Sequence, residues 1–236
     1  MRALLERIYP GMGVRALWMS ALAALCLVFY FHEGRPSQCP AWFLNLSLAV
    51  TGVEARLFHH HLWAHCSAVV ILMLVPLLAC FLLEGWRPTE LGLSARGAKR
   101  EFLLVIGLWL AFLPVVWWFS GTEAFLRNYP RLPEARGNLG LLVAYDGCYL
   151  VKWIAWEFFF RGYMLLGFKR DFGNRAVLIS TIPFVLMHFG KPEAEVYGAL
   201  PAGLILCAIA LRARSVWPGV LLHWLVASSM DFFAAF

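Results

Sequence analysis

Long runs of apolar residues, separated by short polar segments, follow one another along the whole chain. Seven of them are long enough for helices that cross a bilayer, at about 1.5 Å of rise per residue. They are Val14 to Phe31, His65 to Leu83, Phe102 to Phe119, Gly140 to Phe168, Arg175 to Phe189, Val196 to Leu211 and Trp217 to Phe236. The pattern predicts an all-α fold, a polytopic transmembrane bundle of about seven helices in which the fifth and sixth are short.

The composition supports a membrane solvent, because 61% of the 236 residues are hydrophobic and only 14% are charged. Soluble domains carry about 25% charged residues. No internal repeat or soluble domain is visible, so we expect one integral membrane domain over residues 1–236. Membrane lipids are the expected surroundings and nucleic acid is not an expected partner.

Basic residues sort to one side of the predicted bundle. They are enriched at the N-terminus and in the segments "EGWRPTELGLSARGAKRE", "KRDFGNR" and "RAR". By the positive-inside rule this places the N-terminus inside and the C-terminus outside, in a plasma (inner) membrane. Arg2 and Arg7 precede the first apolar run as in a signal peptide, but "FYFHEGRPSQ" lacks a small-residue cleavage pattern, so we interpret the run as a retained anchor.

Cysteine and histidine spacing gives no metal motif. The six cysteines show no CxxC pattern, and only Cys39 and Cys66 could form a disulfide on the outer side. The run His59 to His61 is interpreted as an interfacial cluster rather than a metal site. A small-xxx-small pair, Gly198 and Ala202, predicts close approach of the sixth helix to the site formed by the polar residues of the last hundred positions.

Ionisable residues concentrate in the last hundred positions, inside apolar segments. Glu157 and Arg161 lie four residues apart in "WIAWEFFFRGYML", on one helix face. A central charged residue in a spanning helix costs roughly 2.5 to 3.5 kcal/mol on insertion scales, so such residues are functional candidates.

Depth brings further residues to the same level. The turn "KRDFGNR" is centred near position 172, so Glu157 and His188 lie on two arms of a hairpin, each about 23 Å from it by helical rise. The last helix begins on the same side of the membrane as this turn, and by helical rise His223 lies about 12 Å and Asp231 about 24 Å from its start. Three segments distant in sequence are therefore predicted to converge.

This set of residues suits hydrolysis. Arg161 can keep the Glu157 carboxylate ionised. Glu157, His188 and His223 could bind a divalent metal such as zinc and leave a position for water, or the carboxylate could act on water directly as a general base. The residues leave open whether a metal is used at all.

Other hydrolase motifs are absent or weak. The His32-Glu33 dipeptide could begin the HExxH motif of a zincin, but Pro36 stands where the motif needs its second histidine. No GxSxG elbow occurs. Tyr145-Asp146 resembles half of an aspartyl dyad, but it has no partner in a suitable position.

The segments "EFFFRG", "FVLMH" and "SVWPGVLLH" together resemble the core of the CAAX protease and bacteriocin-processing (CPBP/Abi) family of intramembrane glutamate proteases, whose motifs are EExxxR, FxxxH and HxxxN or HxxxD. The upstream "RPTELGLS" is also similar to members of this family. The resemblance covers residues 139–236, with residues 1–138 as accessory transmembrane helices. It implies that a glutamate and His188 activate water, and that His223 and a following amide stabilise the oxyanion.

Two positions depart from the motifs. Trp156 replaces the first glutamate, the usual base, and Ala227 replaces the Asn or Asp. We therefore expect Glu157 or Glu195 to serve as the base, and Asp231 to take the place of the missing amide.

The predicted function is an intramembrane endopeptidase acting on a peptide or membrane-protein substrate. Two alternatives stay open. One is a non-catalytic scaffold or immunity protein derived from the same family, and the other is a transporter that uses Asp146, Lys152 and Glu157 as a relay.

Overall fold

The computed structural model describes residues 12–236, which form eight main helices and no strands. Arg2 and Arg7 lie outside these residues. In chain order the helices are α1 (Val14–Glu33), α2 (Ala41–Thr51), α3 (Arg56–Glu84), α4 (Lys99–Ser120), α5 (Leu139–Glu157), α6 (Ala176–Leu186), α7 (Glu193–Ala213) and α8 (Trp217–Ala235). The chain of α5 continues without a break as a π-helix, Phe158–Gly167.

The protein is an integral membrane protein with a helical bundle fold, as the apolar pattern predicts. Five stretches are long and apolar enough to cross a membrane: Val14–Glu33, Arg56–Glu84, Lys99–Ser120, Leu139–Leu186 and Glu193–Ala213. The outside of the bundle is strongly apolar, since Trp118 and Leu82 are 74% and 67% exposed. Such surfaces are stable against lipid rather than water.

Two differences from the sequence prediction concern the region before residue 65. Helix α2 is additional to the predicted helices, and α3 begins at Arg56 rather than His65. The added turns of α3 carry histidines, which lower the local hydropathy. Two of these histidines form hydrogen bonds with backbone carbonyls of preceding segments. His59 Nε2 donates to the Val53 carbonyl at 2.7 Å, and His60 Nδ1 donates to the Pro36 carbonyl at 2.9 Å.

The Cys39–Cys66 disulfide that the sequence allows is not formed, and both cysteines are free thiols. The Cys39 thiol instead lies 3.9 Å from the carbonyl oxygen of His59. The close small-residue contact of α7 also lies at a different glycine from the predicted one. A Cβ on Gly198 would meet nothing within 4 Å, whereas one on Gly203 would lie 3.0 Å from Thr181.

A tight turn reverses the chain between the π-helix and α6. Gly173 adopts a left-handed φ of 56° there, which a residue without a Cβ accommodates easily. Helix α6 then packs back along the π-helix, and the Ser180 hydroxyl donates to the Phe160 carbonyl at 2.7 Å. The turn is tied to α1 by Arg15, which donates two hydrogen bonds of 2.8 Å to Asp171.

The π-helix is the centre of the core and also the anchor for the "RPTELGLS" segment. Phe158, Phe159, Phe160 and Tyr163 are all fully buried. Gly162 packs so closely that a Cβ there would lie 2.6 Å from the Leu91 carbonyl oxygen. The upstream segment and the "EFFFRG" segment are therefore parts of one packed unit.

Candidate active site

The central feature of the candidate site is a hydrogen bond between two helices that are distant in sequence. His223 Nδ1, on α8, lies 2.8 Å from Glu157 Oε1, at the C-terminal end of α5, 66 positions away in the chain. The Glu157 side chain is fully buried. Helix α8 can approach the carboxylate because Gly219 faces it, and a Cβ there would lie 2.8 Å from Glu157 Oε2.

Arg161 supplies the positive charge for this carboxylate. Its Nε lies 3.5 Å from Glu157 Oε2, and both side chains have no solvent exposure. The guanidinium carbon lies 4.1 Å from the centre of the Phe184 ring. The i,i+4 pair inferred from the sequence is therefore present as a buried ion pair within the bundle.

Several polar atoms around this pair retain hydrogen-bonding capacity. Glu157 Oε2 and all three guanidinium nitrogens of Arg161 have no hydrogen-bond partner among residues 12–236. Buried polar groups in folded proteins are nearly always paired with protein atoms or with ordered water. The carboxylate and the guanidinium therefore retain hydrogen-bonding capacity inside the bundle.

The His223 ring is held between aromatic side chains. Trp153 stacks on it with the ring centres 3.8 Å apart, and Phe184 makes an edge contact at 5.8 Å. The His223 side chain remains 13% exposed, in contrast to the fully buried Glu157. Trp153 lies one turn before Glu157, a position that sequence reasoning does not select because an aromatic residue there resembles ordinary core.

His188 lies near this pair but faces a different space. Its Nδ1 donates to the Phe184 carbonyl at 2.7 Å, and its ring packs against the Phe184 ring. Its other side lines a cavity of about 580 Å³ together with Trp153 and Trp156. Glu157 and His223 are not among the residues that line this cavity, although Trp153, which lines it, stacks on His223.

The physical reason for this difference is rotational. Helical rise places Glu157 and His188 at one depth, but depth does not fix the direction in which a side chain points. Adjacent positions on a helix point about 100° apart. Trp156, at the first motif position, therefore faces the cavity beside His188, while Glu157 points to α8.

Glu195 and Asp231 lie in another cluster, around the loop before α5. Glu195 forms an ion pair with Lys191 and accepts a hydrogen bond of 2.8 Å from the Tyr129 hydroxyl. Asp231 accepts a hydrogen bond from the backbone N–H of Arg131. The structure does not bring either carboxylate to Glu157, because each is already engaged with this loop.

The structure pairs two of the three residues considered as metal ligands and leaves the third apart from them. Among residues 12–236, no group of three His, Cys, Asp or Glu side chains converges closely enough to hold a metal ion. Glu157 and His223 form a pair, and His188 donates to backbone and faces the cavity. At the last motif position, Ala227 is buried and offers no amide.

Comparison with known proteins gives one family match. Residues 139–229 match the model of the family described as type II CAAX prenyl endopeptidase Rce1-like. The match confirms the resemblance found in the sequence, and its range contains Glu157, Arg161, His188 and His223. No curated protein and no solved structure matches the chain significantly.

Proposed function

We propose that the protein is an intramembrane endopeptidase in which the Glu157–His223 pair prepares a water molecule for attack on a peptide bond. The observation that carries this proposal is the 2.8 Å hydrogen bond between these residues in a buried site shared by α5 and α8. The family match over residues 139–229 supports a protease of the CAAX type.

The hydrogen bond assigns different tasks to the two side chains. With Glu157 ionised, His223 Nδ1 carries the proton that it donates to the carboxylate, and Nε2 is left as an acceptor. A neutral imidazole fixed in this tautomer can accept a proton from water, as histidine does beside a buried carboxylate in serine proteases. Glu157 is then a positioning residue, and His223, the more exposed of the two, is the general base.

Arg161 keeps this arrangement in its active charge state. A buried carboxylate without a cation tends to take up a proton. A protonated Glu157 could donate to Nδ1, which would reverse the histidine tautomer and remove the acceptor from Nε2. The ion pair with Arg161 opposes this change.

No step of the proposed mechanism requires a metal. We therefore expect a chelator to leave the cleavage rate unchanged.

The family description suggests the first substrate to test, a prenylated peptide with a C-terminal CAAX sequence. The purified full chain would be incubated with the peptide, and the products would be measured by mass spectrometry. We expect Glu157→Gln to lower the rate by about 10²- to 10⁴-fold, because His223 would lose the tautomer that it needs as general base, and general acid/base assistance is usually worth that much. Glu101→Gln is a matched control, because Glu101 is also largely buried and lies 3.6 Å from an arginine, Arg212.

A second candidate function is a scaffold that binds the same peptides without cleaving them. It is favoured by Trp156 and Ala227, which replace motif residues, and by the complete burial of Glu157. Peptide binding by the wild-type chain without any cleavage would support the scaffold. Cleavage that survives unchanged in Glu157→Gln would contradict the proposed mechanism, and equal losses in Glu157→Gln and Glu101→Gln would indicate a general folding defect.

A further inference from the structure

The cavity that His188 lines carries an excess of positive charge. It is lined by α1 and the loop after it, by α3, by α5 and the loop before it, and by the segment that joins α6 to α7. No aspartate or glutamate of residues 12–236 contributes to its lining. Four basic residues do so, namely Arg35, Arg131, Lys152 and Lys191.

Three of these cations, Arg35, Arg131 and Lys152, form no ion pair among residues 12–236. Lys191 is neutralised by the ion pair with Glu195. Within the described part of the chain, neither Lys152 nor the Arg131 side chain has a carboxylate within ion-pair distance. The Lys152 ammonium lies instead 5.1 to 5.6 Å from the centres of three aromatic rings, those of Tyr149, Trp153 and Trp156.

The cavity wall also contains buried hydrogen-bonding groups without partners. The indole N–H groups of Trp153 and Trp156 have no acceptor among residues 12–236, and neither ring nitrogen of His65 has a partner. His65 is only 2% exposed. These nitrogen atoms are themselves buried, with almost no surface that water can reach, so a ligand in the cavity would be bound mainly by the cationic side chains of its lining.

Trp156 occupies the position at which the CPBP motif has its first glutamate. Its ring lines the cavity beside His188. Replacing a carboxylate by an indole at this point removes a negative charge from the cavity wall. The substitution therefore changes the cavity in the direction that favours an anion.

We propose that this cavity binds a phosphate-type oxyanion, supplied by the headgroup of an anionic phospholipid. Phosphate oxygens accept strong, charge-assisted hydrogen bonds from arginine and lysine. Arginine and lysine side chains between transmembrane helices attract such headgroups in whichever leaflet supplies them. Phe31 and Phe189 are exposed at the cavity, and the Arg35 guanidinium lies 3.6 Å from the Phe31 ring centre, a combination typical of a membrane interface. The inference does not depend on peptidase activity.

Binding can be measured on the purified full chain in a neutral detergent. The probes are short-chain phosphatidic acid, short-chain phosphatidylcholine and inorganic phosphate. The binding of each probe is measured by isothermal titration calorimetry. We expect saturable binding of phosphatidic acid, and a dissociation constant raised at least about tenfold in the double variant Lys152→Gln/Arg131→Gln. The control double variant Lys99→Gln/Arg100→Gln removes two exposed cations of the same kinds and should stay within about twofold of wild type.

Further variants keep the test independent of folding. Lys152→Arg retains the charge and should retain binding, and Arg131→Gln alone should weaken it. Each variant is accepted only if its melting temperature without lipid matches the wild type.

The arms of the experiment separate the sources of the anion. Displacement of the lipid by equimolar inorganic phosphate would support an oxyanion site but overturn the lipid as its source. Equal affinity for phosphatidylcholine would overturn the proposal, and so would equal loss of binding in the control variant.

Discussion

At the scale of single residues, the buried ion pair between Glu157 and Arg161 is the feature with the largest energetic consequence. Both side chains are fully buried, and the carboxylate also accepts from His223. Ionised groups inside a membrane protein require such compensation. The i,i+4 spacing in an apolar run makes this pair predictable, because few other arrangements stabilise two opposite charges there.

Removing the cation should therefore destabilise the fold and the site together. We expect Arg161→Ala to lower the free energy of unfolding by about 3 to 5 kcal/mol, since it leaves a buried carboxylate without a partner. Unfolding in detergent, followed by circular dichroism, measures this change.

Arg212→Ala is the control for this measurement. Arg212 pairs with Glu101 at 3.6 Å, but its side chain is 69% exposed. Exposed pairs contribute up to about 1 kcal/mol. Equal effects of the two substitutions would show that the burial of Arg161 has no special weight.

The partner of Glu157 is not predictable from the sequence in the same way. Helical rise gives the depth of His188 and His223 but not the direction of their rings. His188 is held by the Phe184 carbonyl, four residues earlier in its own chain segment, whereas His223 reaches across to Glu157. Only the packing of α8 against α5 decides between them.

At the scale of helices, the approach of α8 to the carboxylate depends on one glycine. A Cβ on Gly219 would lie 2.8 Å from Glu157 Oε2 and 3.4 Å from Leu206 Cδ2. The sequence contains no signal for this role, because glycine is frequent in transmembrane helices whether or not it marks a close contact. The small-residue pair that the sequence does suggest, Gly198 and Ala202, does not make the close contact through its glycine.

Gly219→Ala should lower peptidase activity by about tenfold or more, because the added methyl group would displace the carboxylate that orients His223. Alanine otherwise stabilises a helix by about 1 kcal/mol relative to glycine, so the loss would be steric in origin. Gly198→Ala is the matched control in α7, where a Cβ would meet nothing within 4 Å. Wild-type activity in Gly219→Ala would contradict the close packing of α8 on Glu157.

At the scale of the whole molecule, the apolar pattern predicts the helical class and most helix positions. The helix boundaries that it misses lie where polar residues interrupt the apolar runs. The start of α3 escapes prediction because its histidines lower the local hydropathy, while their hydrogen bonds to the carbonyls of Val53 and Pro36 are not visible in the sequence.

The sequence suggests Glu195 and Asp231 as site residues only because each follows a motif histidine by about two turns of helix. The loop around Tyr129 and Arg131 holds both carboxylates away from Glu157, and no local pattern predicts such a long-range contact.

The central claim is that Glu157 and His223, brought together by α5 and α8, act as one hydrolytic unit. Cleavage rates of the wild type, Glu157→Gln, His223→Ala and the double variant measure this most directly. Residues that act as a unit show non-additive losses. We predict that the double variant is no slower than the slower single variant, within about threefold. Losses that multiply, so that two changes of about 10²-fold give about 10⁴-fold, would show that the two residues act independently and would contradict the account.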